Sequence, residues 1–418
     1  MVSLADEVLK ENMLPRAPLA WWWLMIGIIA AGLALMTVAS LDHSLPKPLP
    51  KDSPHKERFI ADIAYEHLLN LTSIGPRVAG SYENEVLAVG QVVQAVRRIA
   101  AEAASHHRVQ LDVHRASGAF AITFLDGMSN VYRDVQSVVV RLSAASGARA
   151  QRRALLLNCH IDTVPDSPGA SDDGAGCAVV LEVLRALAAS PVPLPHDAVF
   201  LLNGAEENIM QASHAFVTAH RWAPRVRAFI NIEACGAGGR EVLFQAGPHD
   251  PWIMEVYAGA VPHPFASSLA QELFESGLIP GDTDFRIFRD FGKLSGVDLA
   301  WSSNGYVYHT ALDTAARVPR AALQRTGDNV LALARGLLAS PSLESQVDEA
   351  SRQPVFFDVL GACVVCVRAP AAAAAALAAL ALAAARVHHS AGRARAERET
   401  TPVARHPPTR HSSPLIHY

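Results

Sequence analysis

Residues 154–176 read ALLLNCHIDTVPDSPGASDDGAG. Four apolar residues, Ala154–Leu157, run into a histidine, two separated acidic sites and a turn rich in glycine and proline. A short apolar run bounded by turn signals predicts a strand buried on both faces. Nothing about a strand requires the His-x-Asp that follows it. Two further segments repeat the arrangement: Val199–Asn203 runs into Gly204-Ala205-Glu206-Glu207, and Phe229–Ile232 runs into Glu233. Such strands alternate with helical patterns, which predicts an α/β fold. Its expected form is a three-layer α/β/α sandwich around a central, mostly parallel, mixed sheet. Functional groups in these sheets gather at the carboxyl ends of the strands.

The flanking text supports that fold. Helical spacing marks Phe59–Leu71, and Ser81 reads as the cap of a second helix reaching about Ala104. β-rich runs follow at Val109–Val113, Ala119–Phe124 and Val135–Leu142. Strand and helix then alternate through Ala154–Cys159, Ala175–Ala189, Ala198–Asn203, Ala212–His220 and Ala228–Glu233. A short strand at Val297–Trp301 precedes the last helix, Arg320–Leu338. No internal repeat is present.

At 418 residues the chain is long enough for one large domain or two ordinary ones. Half of it is hydrophobic and 18% is charged, which is apolar for a soluble protein. The net charge is −4, and no basic stripe lies outside the extreme C-terminus, so nucleic acid is not an expected partner. Five cysteines build no disulfide framework. Cys363 and Cys366 form a CxxC inside an apolar run, unlike the accessible loop of a zinc or redox CxxC.

The apolar excess has a location. Leu19–Leu41 is uncharged and long enough to cross a bilayer, with Trp21–Trp23 where a headgroup belt would lie. It is too long for the apolar core of a signal peptide. The expected division is an N-terminal tail (1–18), a transmembrane signal-anchor (19–41), a linker (42–57) and a globular domain (58–345). A candidate second hydrophobic or transmembrane segment (355–385) and a disordered tail (386–418) follow. Lys10 and Arg16 precede the anchor, while Lys47, Lys51, Lys56 and Arg58 follow it. That bias alone places the domain in the cytosol; the glycosylation sequon Asn70-Leu71-Thr72 points to a lumen.

The residues at the strand ends suit a pair of divalent metals. Zinc accepts imidazole and carboxylate ligands and keeps a position open for water in catalytic sites. Two zincs about 3.5–4 Å apart need a carboxylate between them. Asp172, twelve residues past His160, is placed for that bridge. Asp162, two residues after His160, can accept the imidazole N–H and fix its tautomer. Glu206 and Glu207 can divide the work, one binding metal and the other acting as general base. A second histidine, His309, lies in the polar loop Tyr306–Thr314.

HIDTVPDSPGASDDGAG, NGAEEN, NIEACG and YHTALDT, in that order, resemble the co-catalytic zinc aminopeptidase and glutamate carboxypeptidase family. Within it the chain is most similar to the endoplasmic reticulum metallopeptidase subgroup. LTSIGPRVAGSYENE and GDTDFRIFRDFGKLSGVDLAW add to the resemblance, which covers roughly residues 58–360. The resemblance implies a membrane-anchored, di-zinc metallopeptidase of zinc-exopeptidase fold. It implies two Zn2+ per chain, aminopeptidase-like action on peptide or protein substrates, and a lumenal domain at the endoplasmic reticulum membrane.

Residue by residue, the resemblance implies that His160 and Glu233 complete one or other zinc site and Asp172 bridges both. Glu207 and His309 are the remaining ligands, Glu206 is the general base, and Asp162 orients His160. Tyr308 resembles a position that stabilises the tetrahedral intermediate in some members. Two positions depart from the pattern: Glu233 stands where many members have Asp, and Gly281 precedes Asp282 where many have Ser. Val355–Val367 resembles the start of the subgroup's further membrane spans. Arg368 interrupts it, and the tail resembles nothing in the multi-spanning half, as expected of a truncated isoform or of an altered reading frame. A single-zinc glutaminyl-cyclase-like enzyme and a catalytically silent receptor or scaffold are the alternatives, and the full ligand set weighs against both.

Other residues are expected outside the ligand set. His214, His220, His249 and His263 read as surface or loop histidines, and Asp173 as the cap of the following helix. Cys159 should face the core, opposite His160. Asp282, Asp284, Arg286 and Arg289 are candidates to shape a substrate pocket.

Overall fold

The computed structural model describes residues 17–123, 127–144, 153–279, 281–347, 350–351 and 353–400. The first helix, α1 (Ala17–Asp42), contains Trp21–Leu41, an apolar stretch of 21 residues with no buried side chain. At 1.5 Å per residue it extends about 30 Å, the thickness of a bilayer's hydrocarbon core.

The globular part begins with α2 (Ala61–Thr72) and α3 (Val89–Glu102), the latter entered through a π-helical turn at Glu83–Ala88. A long hairpin follows, β1 (His107–Ile122) and β2 (Met128–Ala144). Next come β3 (Ala154–His160), α4 (Gly176–Ala188), β4 (Asp197–Asn203), α5 (Gln211–Ala219) and β5 (Val226–Ala234). Then β6 (Val242–Gly247), α6 (Trp252–Ala260), α7 (Ser268–Glu275), α8 (Asp284–Asp290), β7 (Ser295–Trp301) and α9 (Arg320–Ala339) complete the layers.

Seven strands form one mixed sheet in the order β1-β2-β4-β3-β5-β7-β6. The central pairs β4/β3, β3/β5 and β5/β7 are parallel, and the outer pairs are antiparallel. Every residue of β3, β4, β5 and β7 is buried, so helices must cover both faces. On one face Leu155 and Leu157 pack with Leu68, Val92, Val183, Met254 and Leu333, from α2, α3, α4, α6 and α9. On the other, Leu156, Val199 and Phe229 meet Phe216 of α5 with Phe285 and Phe288 of α8. Burying each such side chain contributes about 1.5–3 kcal/mol.

Three features differ from the sequence expectations. Val109–Val113 and Ala119–Ile122 are not separate strands: β1 runs through both, with a register shift between Ala116 and Gly118, and Phe124 of the expected strand lies outside the described residues. Residues 355–367, expected to open a second apolar span, form the hairpin β8 (Val355–Val359) and β9 (Cys363–Val367), and Phe356 enters the core. The final helix, α10 (Ala369–Thr400), passes Arg386, where disorder is expected. Its alanine, arginine and glutamate content favours helix. Within it, Ala369–Arg393 has the length and composition to cross a membrane.

Candidate active site

β3, β4 and β5 end side by side, and each delivers its polar residues to the same edge of the sheet. His160 is the last residue of β3; Cys159 beside it points into the core with Leu155 and Leu157, as expected. The chain then turns through 161–169 and returns with Asp172 just before α4. Glu206 and Glu207 follow β4, Glu233 is in β5, and His309 arrives on the loop between β7 and α9.

Asp172 sits between two histidines. Its Oδ1 lies 3.1 Å from His160 Nε2, and its Oδ2 lies 3.0 Å from His309 Nε2. Glu233 Oε2 is 3.5 Å from His160 Nε2, and Glu207 Oε2 is 3.4 Å from His309 Nε2. Two triads therefore share one aspartate, one oxygen each. Two ligand atoms held about 2.0–2.1 Å from a tetrahedral zinc lie about 3.3 Å apart, so the donor set fits that metal in type and spacing. His160, Asp172 and Glu207 place their donor atoms within 4.8 Å of one another.

The charge in the site is unbalanced. Among the described residues, no lysine or arginine pairs with Asp172, Glu206, Glu207 or Glu233, and Glu207 Oε1 is buried without a partner. Burial, with Glu233 and other acids nearby, raises Glu206 well above the usual carboxylate range. Burial also raises Glu233, to about 7. For His309 burial works downward, but hydrogen bonds to Asp172 and Glu207 outweigh it and hold the imidazole at about 9. Buried carboxylates in excess of their cations are costly unless a metal or protons supply positive charge.

Around the triads, Asp162 does more than face one imidazole. His160 Nδ1 lies 3.1 Å from its backbone carbonyl and 3.6 Å from its Oδ1. The carboxylate instead accepts the backbone N–H groups of Glu206 and Glu207, each at 3.0 Å. Tyr308 stacks on His309 with ring centroids 3.8 Å apart, and burial and surrounding acids raise its hydroxyl pKa. Asp173 is not the N-cap of α4, a position Ala175 holds, but accepts the N–H of Gly176 in its first turn and also that of His160.

Several participants were not legible in the motifs. Asp313, in the same YHTALDT segment as His309, accepts from Ser171 N and Oγ and from Asp172 N. Asn231 donates to Glu233 Oε1 at 3.3 Å and to Asp298 at 3.0 Å. Asp284, a pocket candidate, is instead buried beneath the site, accepting from Asn158 and Asn203. His214 and His220 are buried, not superficial: His214 stacks on Phe120, and His220 stacks on Phe216.

A cavity of about 430 Å³ opens onto the triads. Its lining combines Asp172, Glu206, Glu207, Glu233 and Tyr308 with the apolar Val242, Phe244, Leu273, Phe274 and Ile279. Asp282 is at its wall, paired with Arg286.

The mixed α/β/α sheet thus carries at its carboxyl edge a set of imidazole and carboxylate donors of the kind zinc accepts. Residues 137–334 match the model of peptidase family M28. Endoplasmic reticulum metallopeptidase 1 of Mus musculus is 50% identical over 317 residues, 76% of this chain and 35% of the relative. The protein of that name from Homo sapiens is 49% identical over 311 residues, 74% of this chain and 34% of the relative. The chain thus spans about a third of the length of these relatives. Among solved structures, the LapA aminopeptidase of Legionella pneumophila shares the fold, with a TM-score of 0.52. The identity is 15%, and the match covers 71% of this chain and 78% of that one.

Proposed function

We propose that this chain is a membrane-anchored di-zinc exopeptidase of aminopeptidase type, with its peptidase domain in the lumen of the endoplasmic reticulum. The observation that carries the proposal is Asp172, whose two oxygens face separate histidine–glutamate pairs. His160 and Glu233 would hold one zinc, His309 and Glu207 the other, and Asp172 would serve both. Bound there, zinc supplies Lewis-acid activation of water and of the scissile carbonyl.

The protein's own groups do the rest. Glu206 takes a proton from the attacking water on its carboxylate and returns it to the leaving amine. Asp162 ties the backbones of Glu206 and Glu207 together, which fixes base and ligand in one register. Tyr308 remains a phenol and donates its O–H toward the developing oxyanion. The carboxylates that line the cavity suit a protonated N-terminal amine, and its apolar lining suits a large apolar side chain. The names of the mouse and human relatives support the endoplasmic reticulum, and α1 provides an anchor.

Peptides with free and acetylated N-termini test the exopeptidase assignment. Release of single residues from free N-termini only is expected; equal cleavage of blocked peptides contradicts it. For the lumenal placement, Asn70 is exposed in the last turn of α2. An endoglycosidase-sensitive glycan that disappears in Asn70→Gln is expected, and an unglycosylated native chain counts against a lumenal domain.

A further inference from the structure

Arg77 lies in the irregular segment between α2 and the π-helical turn, and it is 0% exposed. Its guanidinium makes no ion pair among the described residues. Nε donates to the carbonyl of Ile161 at 2.8 Å, Nη1 to those of Gly75 and Pro168 at 3.1 and 2.7 Å, and Nη2 to that of Gly169 at 3.1 Å. The backbone of Arg77 is tied to Thr163 as well: Arg77 N donates to the Thr163 side-chain Oγ1, and Thr163 N to Arg77 O. Three of the four carbonyls held belong to residues 161–169. That stretch joins His160 to Asp172 and has no regular structure over most of its length.

We propose that Arg77 is a positioning residue for the metal centre, its guanidinium fixing the loop that sets His160 against Asp172. The proposal rests on the di-zinc reading of the site. Loop and arginine fit too closely to be independent: Gly169 has φ +56°, and a Cβ there would fall 2.2 Å from Thr163 Cγ2 and 3.1 Å from Arg77 Nη2. A buried cation with only carbonyl partners is expensive to keep. Burial pulls its pKa down to about 10, while Asp162, Asp313 and Asp172 act to keep it charged. Among the site acids without a paired lysine or arginine, its charge therefore acts on Asp172. Lysine cannot replace it fully, since three donors on one nitrogen cannot span four carbonyls in this fork.

Arg227 supplies the structural control. It is 2% exposed and pairs with both oxygens of Asp250 at 2.8 Å, away from the triads. The experiment is zinc affinity by chelator competition on the full chain in detergent, with the melting temperature of the metal-stripped protein measured alongside. Arg77→Met is expected to weaken zinc binding about tenfold or more, the scale of losses when groups that orient ligands are removed. Arg77→Lys should weaken it less, and Arg227→Met should lower the melting temperature with zinc affinity unchanged. Native zinc affinity in folded Arg77→Met overturns the proposal. If that variant does not fold, native affinity in Arg77→Lys does the same. Absence of zinc from the unaltered chain overturns the di-zinc reading itself, before any variant is made.

Discussion

Glu241 and Glu233 are both buried glutamates, and their surroundings differ in one respect. Glu241 is 1% exposed and accepts from Arg325, from Asn329 and, at 2.8 Å, from Thr326 Oγ1. Its charge is matched by a cation of the same chain, and both of its oxygens accept hydrogen bonds. Glu233 is 8% exposed and, among the described residues, has only Asn231 and His160 within reach, at 3.3 and 3.5 Å. Together with Asp172, Glu206 and Glu207 it makes a buried acidic group with histidines but no paired arginine or lysine among the described residues. A completed ion pair is architecture, whereas a converging, under-compensated set of ligand-type groups marks a place for metal.

Removing Glu206 should show the largest effect of that difference. Glu206→Gln keeps the shape of the site but cannot take a proton, so kcat should fall about 10²–10⁴-fold with zinc content unchanged. Loss of zinc in this variant would mean that Glu206 and Glu207 have exchanged roles. At the complete pair the loss should be in stability instead. Arg325→Met leaves Glu241 buried and unpaired, costing about 3–5 kcal/mol in denaturant unfolding with zinc content unaltered. A change in zinc content would break the separation between the two clusters.

The smallest effect concerns a buried group that needs no partner charge because it stays neutral. Burial, with His114 beside it, lowers the pKa of His220 to about 4 despite Asp112 at 3.3 Å. In the unfolded chain the imidazole titrates near 6.5. The unfolded state therefore binds the extra proton, and stability present above about pH 6.5 is lost as pH falls toward 4. The slope from one such group is at most about 1.4 kcal/mol per pH unit. Stability measured from pH 7 to 4 should fall less steeply in His220→Phe, and an unchanged slope would show that His220 is not the group responsible.

The parts of the molecule legible in sequence were those whose physics is local. β3, β4, β5 and β7 are covered on both faces, so they appear as uninterrupted apolar runs, and their ligands follow within a few residues. β1 is half exposed, and Arg115, Ser117 and Gly118 interrupt its apolar pattern where its register shifts. β6 carries Gln245 at a buried position, which is tolerated because Asp298 accepts its N–H at 3.1 Å; a single sequence gives no sign of that partner. The apolar run 355–367 reads equally well as a membrane span or a hairpin. The signal that could have decided it is Gly361, at φ +72° in the turn. Arg77 and Asp313 escaped notice for the same reason as Gln245: Arg77 holds residues 84 to 92 positions away, and Asp313 holds some 142 away.

The most direct measurement is zinc per chain in the purified protein by elemental analysis, before and after exhaustive chelation and reloading. Two zincs, lost and regained together with peptidase activity, are predicted from the shared Asp172. A value that stays at one or zero after reloading would contradict the two-metal centre.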